Sequence, residues 1–483
     1  MLTFAPKNER MVSKKQEKRG LLRTNRRKVV YVICAVVVVA LGVFAAIRWR
    51  VWFFNPPEQS YHGLTEPGRV LLTFGNDGEE RSRNVSWQCG EEVKESRVEL
   101  VSVDSVHLDS MTVAATGEVF QSRSGRAAYY SAQLRNLKPD TSFRYRVVTN
   151  GKTSRWYMFR TYPQGRQRFE FMYVGDVQDT IGGEANRFLL EAWARHPQTE
   201  FLVCGGDLTE RPTDMHWGET FRDVDSITQA MPLLNVTGNH DYLKGLICRL
   251  ERRFSLVFSY FLDNMVGDSQ VYTLRYGDAQ FFLLDSNREL PYLLSQRLWL
   301  KLQLEASRAK WKILVLHHPL YSLKGNNNLV QRWLFNPLVE EYGVDLVLQG
   351  HEHAYARMAR KQDDGSPTTP VYIVSHCSPK NYFIQFDDKF DRFGISSRYY
   401  QQVRIMGDTL SVASYEVYEH SLYDSILIVK PNENQPMMNP RVIDCARHIP
   451  ENMSFTPQPG NKKEERYAER IREYCERHPE RLK

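Results

Sequence analysis

The chain has 483 residues, of which 42% are hydrophobic, 12% aromatic and 25% charged, with 28 Gly and 22 Pro. This length allows about three domains, and the composition excludes a miniature disulfide scaffold and a globally disordered chain. The net charge of +7 sits at one end: residues 1–28 carry ten Lys/Arg against Glu9 and Glu17, a net +8, which leaves −1 for the other 455 residues. A basic excess confined to a tail argues against a stable nucleic-acid partner, for which positive charge should stripe the folded surface.

After that tail, Val29–Ile47 is a run of 19 uncharged residues, about 28 Å long as a helix and enough to cross a hydrocarbon core. Trp49 and Trp52 follow as interfacial aromatics, and eight Lys/Arg between Lys14 and Lys28 outweigh Arg48 and Arg50 beyond the run. This asymmetry places the N-terminus in the cytoplasm. A cleaved signal peptide is disfavoured, because no small-x-small site follows the run. A lipoprotein cysteine at Cys34 is disfavoured by the preceding Ile33. The expectation is a single-pass signal anchor, 29–47, in the plasma (inner) membrane, with everything beyond residue 50 periplasmic or extracellular. Cys89, Cys204, Cys248, Cys377, Cys445 and Cys475 are scattered without a CxxC pair, which makes a thiolate metal site or redox centre improbable. Cys204 reads as a buried small hydrophobe.

Residues 48–64, with Asn55, Pro56 and Pro57, read as a linker. From 65 to 165 the runs RVLLTF, NVSW, RVELVSV, MTVAATGEVF, AAYYSAQL, SFRYRVV and RWYMFRT alternate with period two, and Asn150-Gly151 marks the last hairpin. Strands without helices at this length predict a β-sandwich. From 166 to 430 the apolar runs FEFMYV, EFLVCGG, PLLNVTG, KILVLH and VDLVLQG alternate with helical patterns at 184–195, 296–308 and 329–342, an α/β organisation. Residues 431–461 read as an irregular extension. The segment after it carries a helical charge pattern with a thin stripe at Tyr467, Ile471 and Cys475, a solvated helix resting on the body.

Chemistry in α/β folds collects beyond the carboxyl ends of strands, and each of the five runs ends in a metal-ligand type. They lead into Gly175-Asp176-Val177-Gln178, Gly206-Asp207-Leu208-Thr209-Glu210-Arg211, Gly238-Asn239-His240-Asp241, His317-His318-Pro319 and Gly350-His351-Glu352-His353. Glycine before four of these lets the backbone turn sharply as it leaves the strand. One such element is commonplace; five in order at strand ends are not. Two aspartates, an asparagine and three histidines form a mixed O/N set suited to Fe, Mn or Zn. Six ligands suit two ions, and a shared carboxylate holds such a pair about 3.5–4 Å apart.

The ordered set GD, GDxxE, GNH, HxP and GHxH resembles the calcineurin-like metallophosphoesterases, and the layout over residues 65–430 is similar to the purple acid phosphatase branch. Leu137-Lys-Pro-Asp-Thr-Ser-Phe143-Arg-Tyr145 resembles a late fibronectin type III corner, with Trp87 as an early core tryptophan and Phe143 where that family has tyrosine. The resemblance implies a four-layer α/β/β/α sandwich behind a fibronectin-like domain. It implies Asp176 and His353 on a first metal, Asp207 bridging, and Asn239, His317 and His351 on a second. It also implies in-line attack on phosphorus by a metal-bound hydroxide, with His240 protonating the leaving oxygen or stabilising its charge.

Two positions depart from the family. Glu210 stands where the purple enzymes have the iron-binding tyrosine, so no tyrosinate colour is expected. Gln178 stands where the wider family has histidine, and as a weaker ligand it leaves the first site labile. Gly206-Asp207-Leu-Thr-Glu210-Arg211 is also similar to the GDxxDR of protein Ser/Thr phosphatases. By that analogy Glu210 keeps His240 protonated and Arg211 binds phosphate; otherwise both residues cap the next helix. His318 reads as a substrate contact or a support, Tyr355 and Arg357 as an ion pair or part of the site, Asp241 as a turn residue, and His376 as a satisfied structural histidine. The expected function is hydrolysis of a phosphorylated substrate, a monoester before a diester or nucleic acid. A catalytically silent scaffold is the alternative of another class, and nothing selects an oligomeric state.

Overall fold

The computed structural model describes residues 7–103, 110–222, 227–245, 247, 249–260, 264–431 and 439–482, with side chains described from Lys28 onward except at 51 and 52. Cys248 and the first six residues of the basic tail lie outside the described residues. The chain divides into two compact units, 1–56 with 244–247, and 57–243 with 248–483.

The first unit is dominated by one helix, Lys7–Phe53. Its segment Lys28–Arg50 has a mean hydropathy of 2.9 and no part of it is buried. By length and composition it qualifies as a membrane span, as a signal sequence would.

In the second unit, alternation along the chain builds the β-sandwich. Ser96–Ser102 alternates buried and half-buried residues along its whole length, and it lies between Ser142–Thr149 and Ser110–Ala114 in one sheet. Gly125–Leu134, Arg83–Gln88 and Gly68–Phe74 form the facing sheet. The run MTVAATGEVF is two strands: Ser110–Ala114 joins the first sheet and Thr116–Gln121 the second. Trp87 is buried between the sheets, stacked 5.5 Å from Tyr130, and its Nε1–H donates to Thr149 Oγ1 at 2.9 Å. Phe143 has no hydroxyl for the corner bond and stacks on Phe159 instead. The hydroxyl of Tyr145 donates outside the sandwich, to Gln229 O.

The sandwich runs into the α/β region without a break in the sheet. Leu233 pairs with Thr73, so Gly68–Phe74 continues into Leu233–Asn235, Phe201–Cys204 and Arg168–Val174, then Tyr399–Met406, Thr409–Glu416, Leu422–Val429 and Arg441–Asp444. Arg441–Asp444 lies in the stretch expected to be irregular; it pairs antiparallel with Leu422–Val429. A second sheet has the order Tyr272–Tyr276, Ala279–Leu283, Trp311–Leu316, Leu346–Gln349, Pro367–Val374, Tyr355–Lys361, Arg392–Gly394.

Period two sorts the second sheet between two cores. Ile313, Val315, Leu346 and Leu348 join Phe171 and Tyr173 of the first sheet in one buried cluster. Leu314, Leu316 and Val347 join Leu300, Leu304 and Phe335 from the helices Leu290–Ala306 and Leu329–Glu341 in another. The first of these helices starts six residues before the expected position, with Pro291 in its first turn, where a missing N–H costs nothing. The C-terminal helix Lys462–Arg477 is capped by Asn461, which accepts from Lys463 N and Glu464 N. It buries Tyr467, Ile471 and Tyr474, with Cys475 at the edge of the contact.

The five motif-bearing strands are parallel within their sheets and end in register: Val174 opposite Cys204, Cys204 opposite Asn235, and Leu316 opposite Gln349. That alignment brings five loops to one place.

Candidate metal centre

Asp176, Asp207 and His317 are buried and each offers an oxygen or nitrogen within 4.8 Å of the others. Asp207 is the hub. Its Oδ2 lies 3.3 Å from His317 Nε2 and accepts from Gln178 Nε2 at 3.1 Å, while Oδ1 accepts from His240 N at 2.8 Å.

On one side of the hub, Asn239 Oδ1 lies 3.2 Å from His317 Nε2 and 2.8 Å from His351 Nδ1, and these two ring nitrogens are 3.2 Å apart. His317 donates from Nδ1 to Gly205 O at 2.9 Å, which leaves Nε2 as the nitrogen that can offer a lone pair once it gives up its proton. On the other side, Asp176 Oδ1 lies 3.4 Å from His353 Nε2, and His353 Nδ1 donates to Lys380 O at 3.1 Å. Asp176 Oδ1 and Gln178 Oε1 are buried without a hydrogen-bond partner. An unpaired buried polar atom costs about 1–3 kcal/mol, and convergent lone pairs repel. A cation relieves both, so the residues present fit a metal pair.

The backbone is strained where it delivers these groups. Asp176, Gln178, Asp207 and His351 have φ of 42°, 30°, 51° and 72°, a region that costs a non-glycine residue free energy and clusters at functional sites. The strain falls on these candidate donors, and two of the glycines serve close approach. A Cβ on Gly238 would lie 1.9 Å from Asp207 Oδ1, and one on Gly350 2.2 Å from Asp176 Oδ2.

Burial opposes charge on His317 and Asp207 alike, and their mutual attraction outweighs it. The His317 ring is pushed up to about 9, and Asp207 is held below the usual carboxylate range. His318, half-buried beside His317, is pushed down to about 3 by burial and then by the His317 charge. It lies 4.3 Å from the His351 ring and its Nδ1 bonds to Ser286 Oγ at 3.0 Å, which places it against the second ligand group. Asp241 is raised well above the carboxylate range by burial and then by Asp207, and accepts from Gly238 N at 2.7 Å. It closes the GNHD turn.

Glu210 meets His240 through its main chain. His240 Nδ1 bonds to Glu210 O at 2.6 Å, whereas the Glu210 carboxylate pairs with Lys380 Nζ at 2.5 Å. The expected charge contact is therefore a carbonyl contact, because the side chain directs its carboxylate to Lys380. Arg211 is exposed, and neither residue caps the following helix, Asp214–Thr220, whose N-cap is Thr213. Tyr355 and Arg357 are taken up by structure: Tyr355 OH and Arg357 Nε each donate to Asp424 Oδ2 at 2.7 Å.

Sequence reasoning missed a ring stack. His376 is fully buried, and beyond the structural role expected of it its ring joins a stack at the centre. Its ring lies 5.5 Å from His353 at 12°, Tyr382 covers the other face of the stack 4.1 Å from His353 at 9°, and Lys324 Nζ sits 3.8 Å from the Tyr382 centroid. Tyr382 lies in a loop without periodicity, and no local signal marks it. The C-terminal helix braces that loop: Tyr467 stacks on Phe383 at 4.5 Å and Tyr474 on Phe386 at 5.0 Å. Glu352 turns away from the donors and accepts from Ser322 Oγ and Leu323 N, fixing the adjoining loop.

Comparison with known proteins agrees with this layout. Residues 169–355 match the calcineurin-like phosphoesterase family and residues 67–161 the purple acid phosphatase N-terminal domain. An uncharacterized protein of Mycobacterium tuberculosis is 26% identical over 352 residues, 64% of this chain and 64% of its own length. A purple acid phosphatase of Glycine max is 24% identical over 62% of this chain and 67% of its own. The chain thus spans about two thirds of these relatives. Among solved structures, a purple acid phosphatase from yellow lupin seeds superposes with a TM-score of 0.65 at 16% identity, covering 76% of this chain and 74% of its own. PhoD superposes with a TM-score of 0.56 at 13% identity, covering 88% of this chain and 100% of its own.

Proposed function

Because the chain is a calcineurin-like metallophosphoesterase with a purple acid phosphatase N-terminal domain, we propose that it hydrolyses phosphate monoesters at a two-ion centre outside the cytoplasm. The observation that carries this reading is the sharing of Asp207 between two donor groups. Asp176, Gln178 and His353 would hold the first ion, Asn239, His317 and His351 the second, and Asp207 both. When bound, such a pair of Fe, Mn or Zn ions supplies Lewis-acid polarisation of phosphoryl oxygens and a nucleophile near neutral pH.

The protein's own residues do the rest. The Glu210 carbonyl fixes His240 through Nδ1, leaving Nε2 to exchange a proton with the leaving oxygen. Lys380 holds the Glu210 carboxylate and so steadies the carbonyl that orients His240. Arg211, exposed beside them, is free to pair with a substrate phosphate in bidentate fashion.

The same reading takes Lys28–Arg50 as a membrane anchor in the plasma membrane. It divides the rest into a sandwich domain at 65–165, a catalytic domain at 166–430 and an extension at 431–483. The two buried clusters, one between the sheets and one beneath the helices, support an α/β/β/α layering.

The test is turnover by the purified full chain, supplied in turn with Mn, Fe and Zn, of a chromogenic monoester and of its diester. The reading expects faster monoester hydrolysis and its loss in His351→Ala. Diester turnover exceeding monoester turnover would replace it with a phosphodiesterase, and no turnover with any metal would sink it.

A further inference from the structure

The stretch after Gly238-Asn239-His240-Asp241 is a hairpin. Tyr242–Leu243 pairs antiparallel with Arg249–Leu250, and the turn between them reads Lys244-Gly-Leu-Ile-Cys248, with Lys244 its one charge. The root of the hairpin is tied to the motif, since Glu251 N donates to Asp241 O at 3.0 Å. Lys244–Ile247 falls in the compact unit of the N-terminal helix. There the Asn55 side chain takes up the Lys244 main chain twice: Asn55 Nδ2 donates to Lys244 O at 2.9 Å, and Lys244 N donates to Asn55 Oδ1 at 2.8 Å. Three residues on, Ile247 is 72% exposed.

With Lys28–Arg50 as the membrane anchor, that clamp has a depth. Asn55 follows Arg50 by five positions, of which the helix covers those up to Phe53, on the order of 10 Å along the chain. The headgroup layer on one side of a bilayer is about 5–7 Å thick, so Asn55 holds the tip at its outer boundary. An isoleucine gains there by entering the acyl region, while a lysine keeps its ammonium among the headgroups. His240 lies four residues before Lys244 in the sequence, and four residues of chain span at most about 14 Å. The clamp on Lys244 therefore tethers the histidine that serves the leaving oxygen to the membrane surface.

Two further motif loops expose apolar side chains. Ile181, five residues after Asp176, is 46% exposed, and Met215, eight after Asp207, is 38% exposed. Their loops share a cleft lined by Val177, Asp179, Leu208, Glu210 and His216. One exposed apolar residue is ordinary; one after each of Asp176, Asp207 and Asn239 suits a substrate with an apolar part.

We propose that the substrate is a phosphate monoester carried on a lipid, reached at a bilayer into which the Tyr242–Leu250 hairpin dips Ile247. This deepens the phosphatase reading and rests on it and on the anchor. Hydrolysis breaks the bond between phosphorus and the lipid oxygen: the oxygen of water goes to phosphorus and a proton of water to the lipid oxygen. Inorganic phosphate leaves into water and the lipid alcohol stays in the bilayer.

The test uses the full chain in phosphatidylcholine nanodiscs, with the metal that supports chromogenic monoester turnover. Phosphate release is followed from phosphatidic acid in the disc and from glycerol 3-phosphate, the same ester without acyl chains, at one bulk concentration. Wild type is expected to turn over phosphatidic acid at least tenfold faster. Ile247→Asp should lose at least tenfold on phosphatidic acid and keep its glycerol 3-phosphate rate, which also reports that it is folded; Ile247→Ser takes its place if that rate is lost. Ile247→Trp should add fluorescence, over wild type, that bromine on the acyl chains quenches. Soluble-ester turnover that equals or exceeds that of phosphatidic acid overturns the proposal and leaves the monoesterase reading standing. So does an unchanged phosphatidic acid rate in folded Ile247→Asp, or an unquenched Ile247→Trp. No release from any monoester removes that reading and the proposal with it.

Discussion

On the Asn239 side of the centre the imidazoles are locked. His317 gives one nitrogen to Gly205 O and is fully buried, and its other nitrogen meets Asn239 and His351 at 3.2 Å. On the Asp176 side, Asp176 Oδ1 and Gln178 Oε1 are unpaired, and His353 is held by a loop carbonyl and by the Tyr382 ring. One half is fixed by strand ends; the other leans on a loop braced by the C-terminal helix. A pair of ions held by such unequal halves should differ in affinity, with the Gln178 side exchanging first, since an amide oxygen is a weaker donor than an imidazole.

The largest expected effect removes the contrast altogether. Asp207→Asn takes the shared carboxylate from both halves, and activity should fall on the order of 10³-fold with both ions lost; metal analysis and turnover on one preparation check this. Gly238→Ala pushes a methyl against the same carboxylate, at 1.9 Å from Oδ1. It should destabilise the fold by about 1–3 kcal/mol, read by denaturant unfolding, with reduced metal content.

The braced half is next. Tyr382→Ala should weaken the first ion by about 10- to 100-fold and leave the second in place, whereas Tyr382→Phe, which keeps the ring, should bind like wild type. Competition with a chelator measures both.

Proton linkage tests the locked half. In the metal-free chain His317 is pushed up to about 9 by Asp207, so at pH 7 the ring carries a proton that the second ion must displace. Affinity for that ion should therefore rise by about tenfold per pH unit below 9 and flatten above it. Calorimetry in buffers of different ionisation enthalpy should record about one proton released at pH 7. The smallest effect sharpens the contrast: Gln178→His should tighten the first ion by about tenfold, evening out the two halves.

The parts of this centre legible in the sequence are those that strand ends place. Each apolar run stops where a candidate donor begins, so periodicity and residue type together single out Asp176, Asp207, Asn239, His317 and His351, which the fold gathers. Long-range contacts left no such trace. Tyr382 reaches His353 from a loop 29 residues further on, by way of Phe383 and Phe386 packed on a C-terminal helix whose stripe reads as resting on the body without naming the loop it braces. The Glu210 contact turned on which part of the residue faces His240, and main-chain direction in a loop is not written in residue types. The division of MTVAATGEVF between two sheets was hidden because both halves keep the same alternation, and only their partners differ.

If two ions share Asp207, each chain carries two metals, and counting metal per chain tests this. Mass-spectrometric metal analysis of the full chain, purified with saturating Mn, Fe or Zn, should find two ions in wild type and one in His351→Ala, where the Asp176 group remains. One ion or none in wild type, or two retained in His351→Ala, would rule out a shared two-ion centre.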